Sequence, residues 1–223
     1  MILMKEIFPQ VFSDGRKLYT LNAVPGISVY GEKRYSEGGK EYREWVPWRS
    51  KLCAAIKNCL EELPIKTGTI VLYLGCAEGT TVSHISDIIG KTGIVFGLDV
   101  SARSMSEFVQ LSEQRENIVP ILADANKPES YKQYFEGSTI DVLFQDIAQK
   151  NQAEIFCKNS VAFLKKGSFG MLVIKAKSIN QQKKTADIVE EETNVLKQEF
   201  DILQIVPLSP FEKEHALVLC RKK

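Results

Sequence analysis

The stretch Ile70-Val71-Leu72-Tyr73-Leu74-Gly75-Cys76-Ala77-Glu78-Gly79-Thr80-Thr81 decides how this chain is read. An apolar run of strand length opens into a G-x-x-x-G turn, and apolar residues at helical spacing follow from Thr81 to Ile89. Glycines let a backbone turn sharply and approach a ligand, while the start of a helix offers unpaired N–H groups and the positive end of its dipole. That combination suits a carboxylate or a phosphate. The spacing lacks the third glycine of the G-x-G-x-x-G dinucleotide fingerprint and the lysine of a P-loop. Taken alone, the loop also fits a plain tight strand-to-helix turn.

Outward from this stretch, further apolar runs occur at Ile94 to Val100, Ile118 to Leu122, Ile140 to Phe144 and Phe169 to Ile174. The segments Ser104 to Glu113, Ala153 to Leu164 and Ala186 to Phe200 between or after them carry apolar residues three or four apart. Strands alternating with helices predict an α/β fold, a mostly parallel sheet covered by helices on both faces. The last two runs, Ile202 to Pro207 and His215 to Cys220, are too close for a crossover helix and predict an antiparallel hairpin at or near the sheet edge. A five-strand parallel core with a terminal hairpin is the outline of the Rossmann-like class I methyltransferase sheet. Its strand order is not readable from sequence. Upstream, Pro47 and Ser50 open a helical pattern through Leu52, Ala55, Ile56 and Leu60 that runs to Pro64. Before residue 46 the pattern changes to short alternating segments, Phe8 to Phe12 and Lys17 to Leu21, with turn signals at Ser13-Asp14-Gly15 and Pro25-Gly26. Residues 31–40 read as a loop or long hairpin tip. The expected organisation is a small antiparallel β domain over residues 1–45 and a catalytic domain over residues 46–223.

Composition sets outer limits. With 223 residues, 44% hydrophobic and 26% charged, the chain can bury a sizeable core, and it is one full domain plus a small appendage. The 29 basic and 28 acidic residues leave a net charge of +1, so no global field draws it onto nucleic acid or membrane. Five cysteines without a C-x-x-C pair suggest reduced buried thiols rather than a disulfide framework or a zinc site, and no metal is expected. No apolar run is long enough to span a membrane, and the apolar opening of the chain is charged too soon for a signal peptide. A cytoplasmic, reducing setting is the expectation.

Acids recur at the ends of successive runs. Asp99, in Gly97-Leu98-Asp99-Val100, is placed to accept hydrogen bonds from ribose hydroxyls, and Asp124, in Ala123-Asp124-Ala125, to receive an adenine amino group. The fourth run ends in Gln145-Asp146-Ile147-Ala148-Gln149. Each acid alone also fits a helix cap. Four strand ends delivering a glycine turn or an acid to one sheet edge point to a nucleoside cofactor.

The stretches Trp45-Val46-Pro47-Trp48-Arg49-Ser50-Lys51-Leu52, Val71 to Gly75, Gly79-Thr80-Thr81-Val82-Ser83-His84, Asp146 to Gln149, Ile174-Lys175-Ala176 and Pro210-Phe211-Glu212-Lys213-Glu214-His215-Ala216 together resemble the fibrillarin family. The match is to its short archaeal fibrillarin-like form, since no Gly/Arg-rich tail is present. The resemblance implies an S-adenosyl-L-methionine-dependent 2′-O-methyltransferase of rRNA and pre-tRNA, guided by box C/D RNA. It further implies a Nop-family scaffold protein and a kink-turn-binding ribosomal-type protein as partners, with a homodimer left open and no membrane. The cofactor residues are then Gly75, Ala77, Gly79, Thr80, Thr81, Asp99, Val100, Asp124, Ala125, Asp146, Ile147, Ala148 and Gln149. Cys76 and Glu78 stand where small residues and Ser are commoner in the family, and Asp99-Val100 replaces Glu followed by an aromatic. The first change shortens the ribose contact and the second removes a ring flanking the adenine.

A ribose 2′-hydroxyl is a poor nucleophile until it loses its proton, so methylating it demands a positioned base and precise orientation. Burial and a neighbouring cation are what turn a lysine into a base at neutral pH. Lys175 ends the fifth apolar run, Asp146 ends its neighbour, Lys51 opens the first helix and His215 lies where the terminal hairpin re-enters the sheet. By the resemblance, Lys51, Asp146, Lys175 and His215 match the family's Lys-Asp-Lys-His tetrad. A lone strand-end lysine can equally be solvated, and Glu212 or Glu214 can stand in for a merely packing His215. His84 reads as a packing or capping residue.

Tyr42, Arg43, Trp45, Trp48 and Arg49 cluster ahead of Lys51. They can stack on an exposed nucleotide or grip phosphates, or form a hydrophobic staple with the arginines outside. Packing is the preferred reading for the tryptophans, RNA contact for Arg49. The rival functions are a methyltransferase for another acceptor, a catalytically inactive methyltransferase-like structural subunit of a ribonucleoprotein, and an NAD-dependent oxidoreductase. The Lys-Asp-Lys set disfavours the first two and the missing glycine the third.

Overall fold

A computed structural model describes residues 4–135 and 137–223; the apolar opening at residues 1–3 lies outside them. Two sheets form. The first joins β1 (Lys5–Phe8), β2 (Val11–Ser13), β3 (Leu18–Leu21), β4 (Arg34–Glu37) and β5 (Lys40–Trp45) in the antiparallel order β1-β2-β3-β5-β4. The segment expected as one strand from Phe8 to Phe12 is broken into a hairpin, because Gln10 turns with φ 63° and its N–H is held by the Glu6 carboxylate at 2.7 Å. The charged stretch 31–40, expected as a loop or long hairpin tip, is the tip and one arm of the β4–β5 hairpin, with Gly38 and Gly39 both at positive φ.

A 3₁₀ turn at Pro47–Arg49 leads into α1 (Lys51–Lys57), capped by Ser50, whose side chain accepts from the Cys53 N–H. This helix stops short of Pro64, because Cys59 adopts φ 67°. The chain then runs through β6 (Ile70–Leu74), α2 (Thr80–Ile89), β7 (Ile94–Asp99), α3 (Ala102–Glu113), β8 (Ile118–Leu122), β9 (Ile140–Gln145), α4 (Gln152–Phe163), β10 (Leu164–Lys175), the single turn α5 (Ala176–Ile179), α6 (Thr185–Leu196), β11 (Phe200–Pro207) and β12 (His215–Lys222). Strand β10 starts earlier than its apolar run, since the polar Lys165-Lys166-Gly167-Ser168 bulges between pairing registers. The helical pattern placed over Ala186 to Phe200 ends at Leu196, and Phe200 begins β11.

The second sheet has the order β11-β12-β10-β9-β6-β7-β8, parallel from β10 to β8 and antiparallel at β12 and β11. Because strand side chains alternate, it buries two faces. Val71, Tyr73, Val95, Phe144 and Met171 pack with α1, α2 and α3, and with Val11, Leu18 and Trp45 of the small sheet. Leu72, Leu74, Phe96, Leu143 and Ile174 pack with α4 and α6. The chain steps outward from β6 to β7 and β8, then returns to place β9 against the other side of β6. Ligands of open α/β sheets bind at such a reversal.

Candidate active site

Gly75 and Asp146 follow the two strands that part at this reversal, and the Asp146 N–H donates to the Leu74 carbonyl at 2.9 Å. Gly75 has φ +83°, and a Cβ there would lie 2.6 Å from the Asp146 carbonyl oxygen. Only glycine satisfies both demands. Gly79, at φ +90°, begins α2 without a side-chain cap, leaving backbone N–H groups of the first turn for a ligand. A Cβ on Gly79 would strike Leu111 and Phe108 of α3 at 2.5 and 2.7 Å.

The Asp99 carboxylate accepts from the Ala77 N–H and the Ser101 N–H, both at 2.9 Å, so it ties the glycine loop to the end of β7. Each of its oxygens keeps acceptor capacity for a hydroxyl. Asp124 takes both Asn126 donors on Oδ1, and the bond from the Asn126 backbone N–H does most to hold its carboxyl below the usual range. Val100, Ala148 and Gln149 are exposed, Thr80 and Ile147 half-buried, and Thr81 and Ala125 buried. Ala77 has φ 48°, and Glu78 reaches Ser104 at 3.5 Å. Glycine turn, helix start and two strand-end carboxylates with spare acceptor capacity fit a nucleoside cofactor.

Beside them is a compact charge cluster. Asp146 Oδ2 receives Lys51 Nζ at 3.1 Å, and Lys175 Nζ lies 2.8 Å from Oδ1 while donating to the Asp146 carbonyl at 3.0 Å. Lys175 Nζ is thus shared between the Oδ1 and the backbone carbonyl of Asp146, and Oδ1 itself is buried behind it. His215 faces Lys175 across the β10–β12 ladder, with Nδ1 on the Lys213 carbonyl at 2.7 Å. Glu212 stands 4.0 Å from both Lys51 Nζ and His215 Nδ1. Glu214 is drawn away to Lys177 at 3.5 Å.

Gln152 at the start of α4 was not singled out by sequence. Fully buried, it accepts the Lys175 N–H at 2.9 Å and donates to the Gln149 carbonyl at 2.8 Å, fixing the strand end and the loop after Asp146 together. A polar residue just after a strand-end loop was the available signal. Tyr73 lies beneath the site, but burial pushes its phenol well up, and burial does the same to the Cys76 thiol; neither serves as a base or nucleophile at neutral pH. Among the described residues no group of His, Cys, Asp and Glu could hold a metal ion, and no helix is long and apolar enough to cross a membrane.

The aromatic and basic cluster ahead of Lys51 divides. Trp45 is buried against His84, rings 5.0 Å apart and nearly parallel, whereas Trp48 is 59% exposed. Arg43 does not lie outside. It is fully buried, bonding Glu32 at 2.5 Å, Asp87 at 2.9 Å and Ser83 at 3.0 Å. His84 packs as expected, held by Thr20 and Tyr30 at 2.7 and 2.8 Å.

The fibrillarin family profile matches residues 2–223. A fibrillarin-like rRNA/tRNA 2′-O-methyltransferase of Thermococcus sibiricus is 47% identical to this chain over 227 aligned residues, covering 100% of each. The crystal structure of Aeropyrum pernix fibrillarin with natively bound S-adenosyl-L-methionine superposes with a TM-score of 0.87 at 38% identity, covering 99% of this chain and 100% of that one. A fibrillarin in complex with Nop5p superposes with a TM-score of 0.88 at 35% identity, covering 98% of this chain and 100% of the other.

Proposed function

The chain belongs to the fibrillarin family, and from that premise we infer that it transfers a methyl group from S-adenosyl-L-methionine to ribose 2′-hydroxyls of rRNA and tRNA. The observation that carries this reading is Asp146 held between Lys51 and Lys175 at the sheet reversal. S-adenosyl-L-methionine, when bound, supplies an electrophilic methyl group. Asp99 and Asp124 would hold the ribose and adenine of the cofactor, with Gly75, Ala77, Gly79, Thr80 and Thr81 forming its cradle. Val100, Ala125, Ile147, Ala148 and Gln149 would line its sides.

Asp146 orients Lys175 and, with it, the incoming 2′-hydroxyl. Lys175, fixed by the Asp146 carbonyl and by Gln152, gives one proton to solvent and, as the neutral amine, takes up the proton of the hydroxyl as the hydroxyl attacks the methyl carbon. Lys51 holds the other carboxylate oxygen, so Asp146 cannot swing away. Glu212 and His215 complete the rim. A nitrogen nucleophile would need no such base, and an inactive subunit would have no need to keep the three charges in register.

The partner is a Nop-family scaffold protein, in line with the Nop5p-bound relative. A box C/D guide RNA and a kink-turn-binding ribosomal-type protein complete the proposed particle. With a net charge of +1 the chain has little field of its own to hold RNA, and recruitment fills that gap. The test is methyl transfer to a guided target RNA with the full particle and with the chain alone. Transfer is expected only in the particle; efficient methylation of a bare oligonucleotide by the isolated chain would overturn the partner assignment.

A further inference from the structure

Trp48 is the largest apolar side chain exposed beside the charge cluster, and the reaction as derived gives it no role. It lies on the 3₁₀ turn that leads into α1, three positions before Lys51. Its ring meets Phe211 edge to face, with centroids 5.1 Å apart and planes at 74°. Phe211 is partly buried against the core and directly precedes Glu212, which is 4.0 Å from Lys51 Nζ. Both aromatics are therefore tied through the backbone to residues of the charge cluster. The turn itself is braced, since the Val46 N–H donates to the Tyr30 hydroxyl at 3.3 Å and the Arg49 guanidinium lies over the Tyr30 ring at 5.7 Å.

We propose that Trp48, backed by Phe211, is a stacking platform for a nucleobase of the target strand, which it holds while the adjoining ribose presents its 2′-hydroxyl to Asp146. This rests on the RNA methyltransferase reading above. The edge-to-face contact and the 59% exposure leave most of the indole surface open. Every base has a π-face, so such a platform is indifferent to sequence, as an enzyme whose targets are chosen by a guide requires. Arg49 beside Trp48 and Lys213 beyond Phe211 are both exposed and supply local positive charge for the backbone on either side. Trp48 precedes Lys51 by three residues and its partner Phe211 adjoins Glu212, so whatever stacks on the indole sits beside the charge cluster that the ribose must reach, which favours a nucleobase as the occupant.

The experiment uses the assembled particle with wild-type, Trp48→Ala and Trp48→Phe chains, and a target RNA carrying 2-aminopurine beside the methylated nucleotide. Trp48→Ala is expected to lower kcat/KM for guided RNA by about tenfold, with Trp48→Phe restoring most of it. S-adenosyl-L-methionine affinity by calorimetry and particle assembly by gel filtration should be unchanged. Quenching of 2-aminopurine on docking should be present in wild type and lost in Trp48→Ala. That quench reports on the platform even where methyl transfer is absent, so its failure is distinguishable from failure of the proposed activity. Wild-type transfer and quenching by Trp48→Ala would overturn the proposal, as would a folded Trp48→Ala chain that no longer assembles with its scaffold protein.

Discussion

Gly75 and Asp146 touch backbone to backbone across the sheet reversal: a Cβ on Gly75 would sit 2.6 Å from the Asp146 carbonyl oxygen. The cradle proposed for the cofactor and the residue proposed to orient the hydroxyl are thus positioned by one contact. Moving either strand end moves both functions.

Gly75→Ala should therefore damage two measurable quantities at once. The left-handed φ of +83° costs any L side chain of order 1–3 kcal/mol, and the overlap with Asp146 adds to it. The expected outcome is at least about a tenfold loss of S-adenosyl-L-methionine affinity by calorimetry, together with a fall in single-turnover methyl transfer at saturating cofactor. A variant losing affinity alone would show that Gly75 serves the cofactor without positioning Asp146.

Lys175→Ala separates chemistry from binding. The base it removes is worth roughly 100-fold or more in rate, while the cradle residues are untouched. Methyl transfer in the reconstituted particle should collapse with cofactor affinity nearly unchanged. Lys51→Ala should cost less, about tenfold, because Lys51 acts through Asp146 Oδ2 rather than on the hydroxyl. Wild-type turnover by Lys175→Ala would sink the assignment.

The sheet and its glycine loop were legible because strands buried on both faces are apolar throughout and helices between them are periodic. Strand order was not, since it depends on which side of β6 the chain returns to. The strand-end acids were legible as a set, but Gln152 was not, because its partners Lys175 and Gln149 meet it only when β9 and β10 pair. Arg43 and Trp48 show the limit most sharply. A guanidinium reads as surface and an indole as core, yet Glu32 and Asp87, remote in sequence, draw Arg43 inside, and the 3₁₀ turn points Trp48 out. Tertiary ion pairing overrides composition at such positions.

Arg43 also predicts where the molecule is fragile. With Asp87 it links β5 to α2, and Arg115 reaches the same carboxylate at 2.7 Å. Removing Arg43 leaves the buried Glu32 carboxylate without its cation, at a cost of about 3–5 kcal/mol. Arg43→Met should lower the melting temperature by on the order of 10 °C for a chain of this size, measured calorimetrically without ligands. A shift of only a degree or two would show that Arg115 satisfies Asp87, and the Val29 and Tyr30 N–H groups satisfy Glu32, without it.

His84 sets the acid limit of the fold. Burial, then the Arg43 and Arg115 charges, hold its imidazole well below the ordinary value of 6.5, so the folded state keeps it neutral. Below about pH 6.5 the unfolded chain takes up a proton there that the native chain refuses, and native stability falls as the pH drops. The stabilisation is fully present above 6.5 and is lost toward the depressed native value, with a slope of up to about 1.4 kcal/mol per pH unit. Carboxylates held low by their partners, such as Asp124 and Glu199, add their own losses only at more acidic pH, near the ordinary carboxylate range. Denaturant midpoints between pH 5 and 7 should therefore fall steeply in the wild type and much less in His84→Gln. An equally steep fall in that variant would place the acid sensitivity elsewhere than the histidine stacked on Trp45.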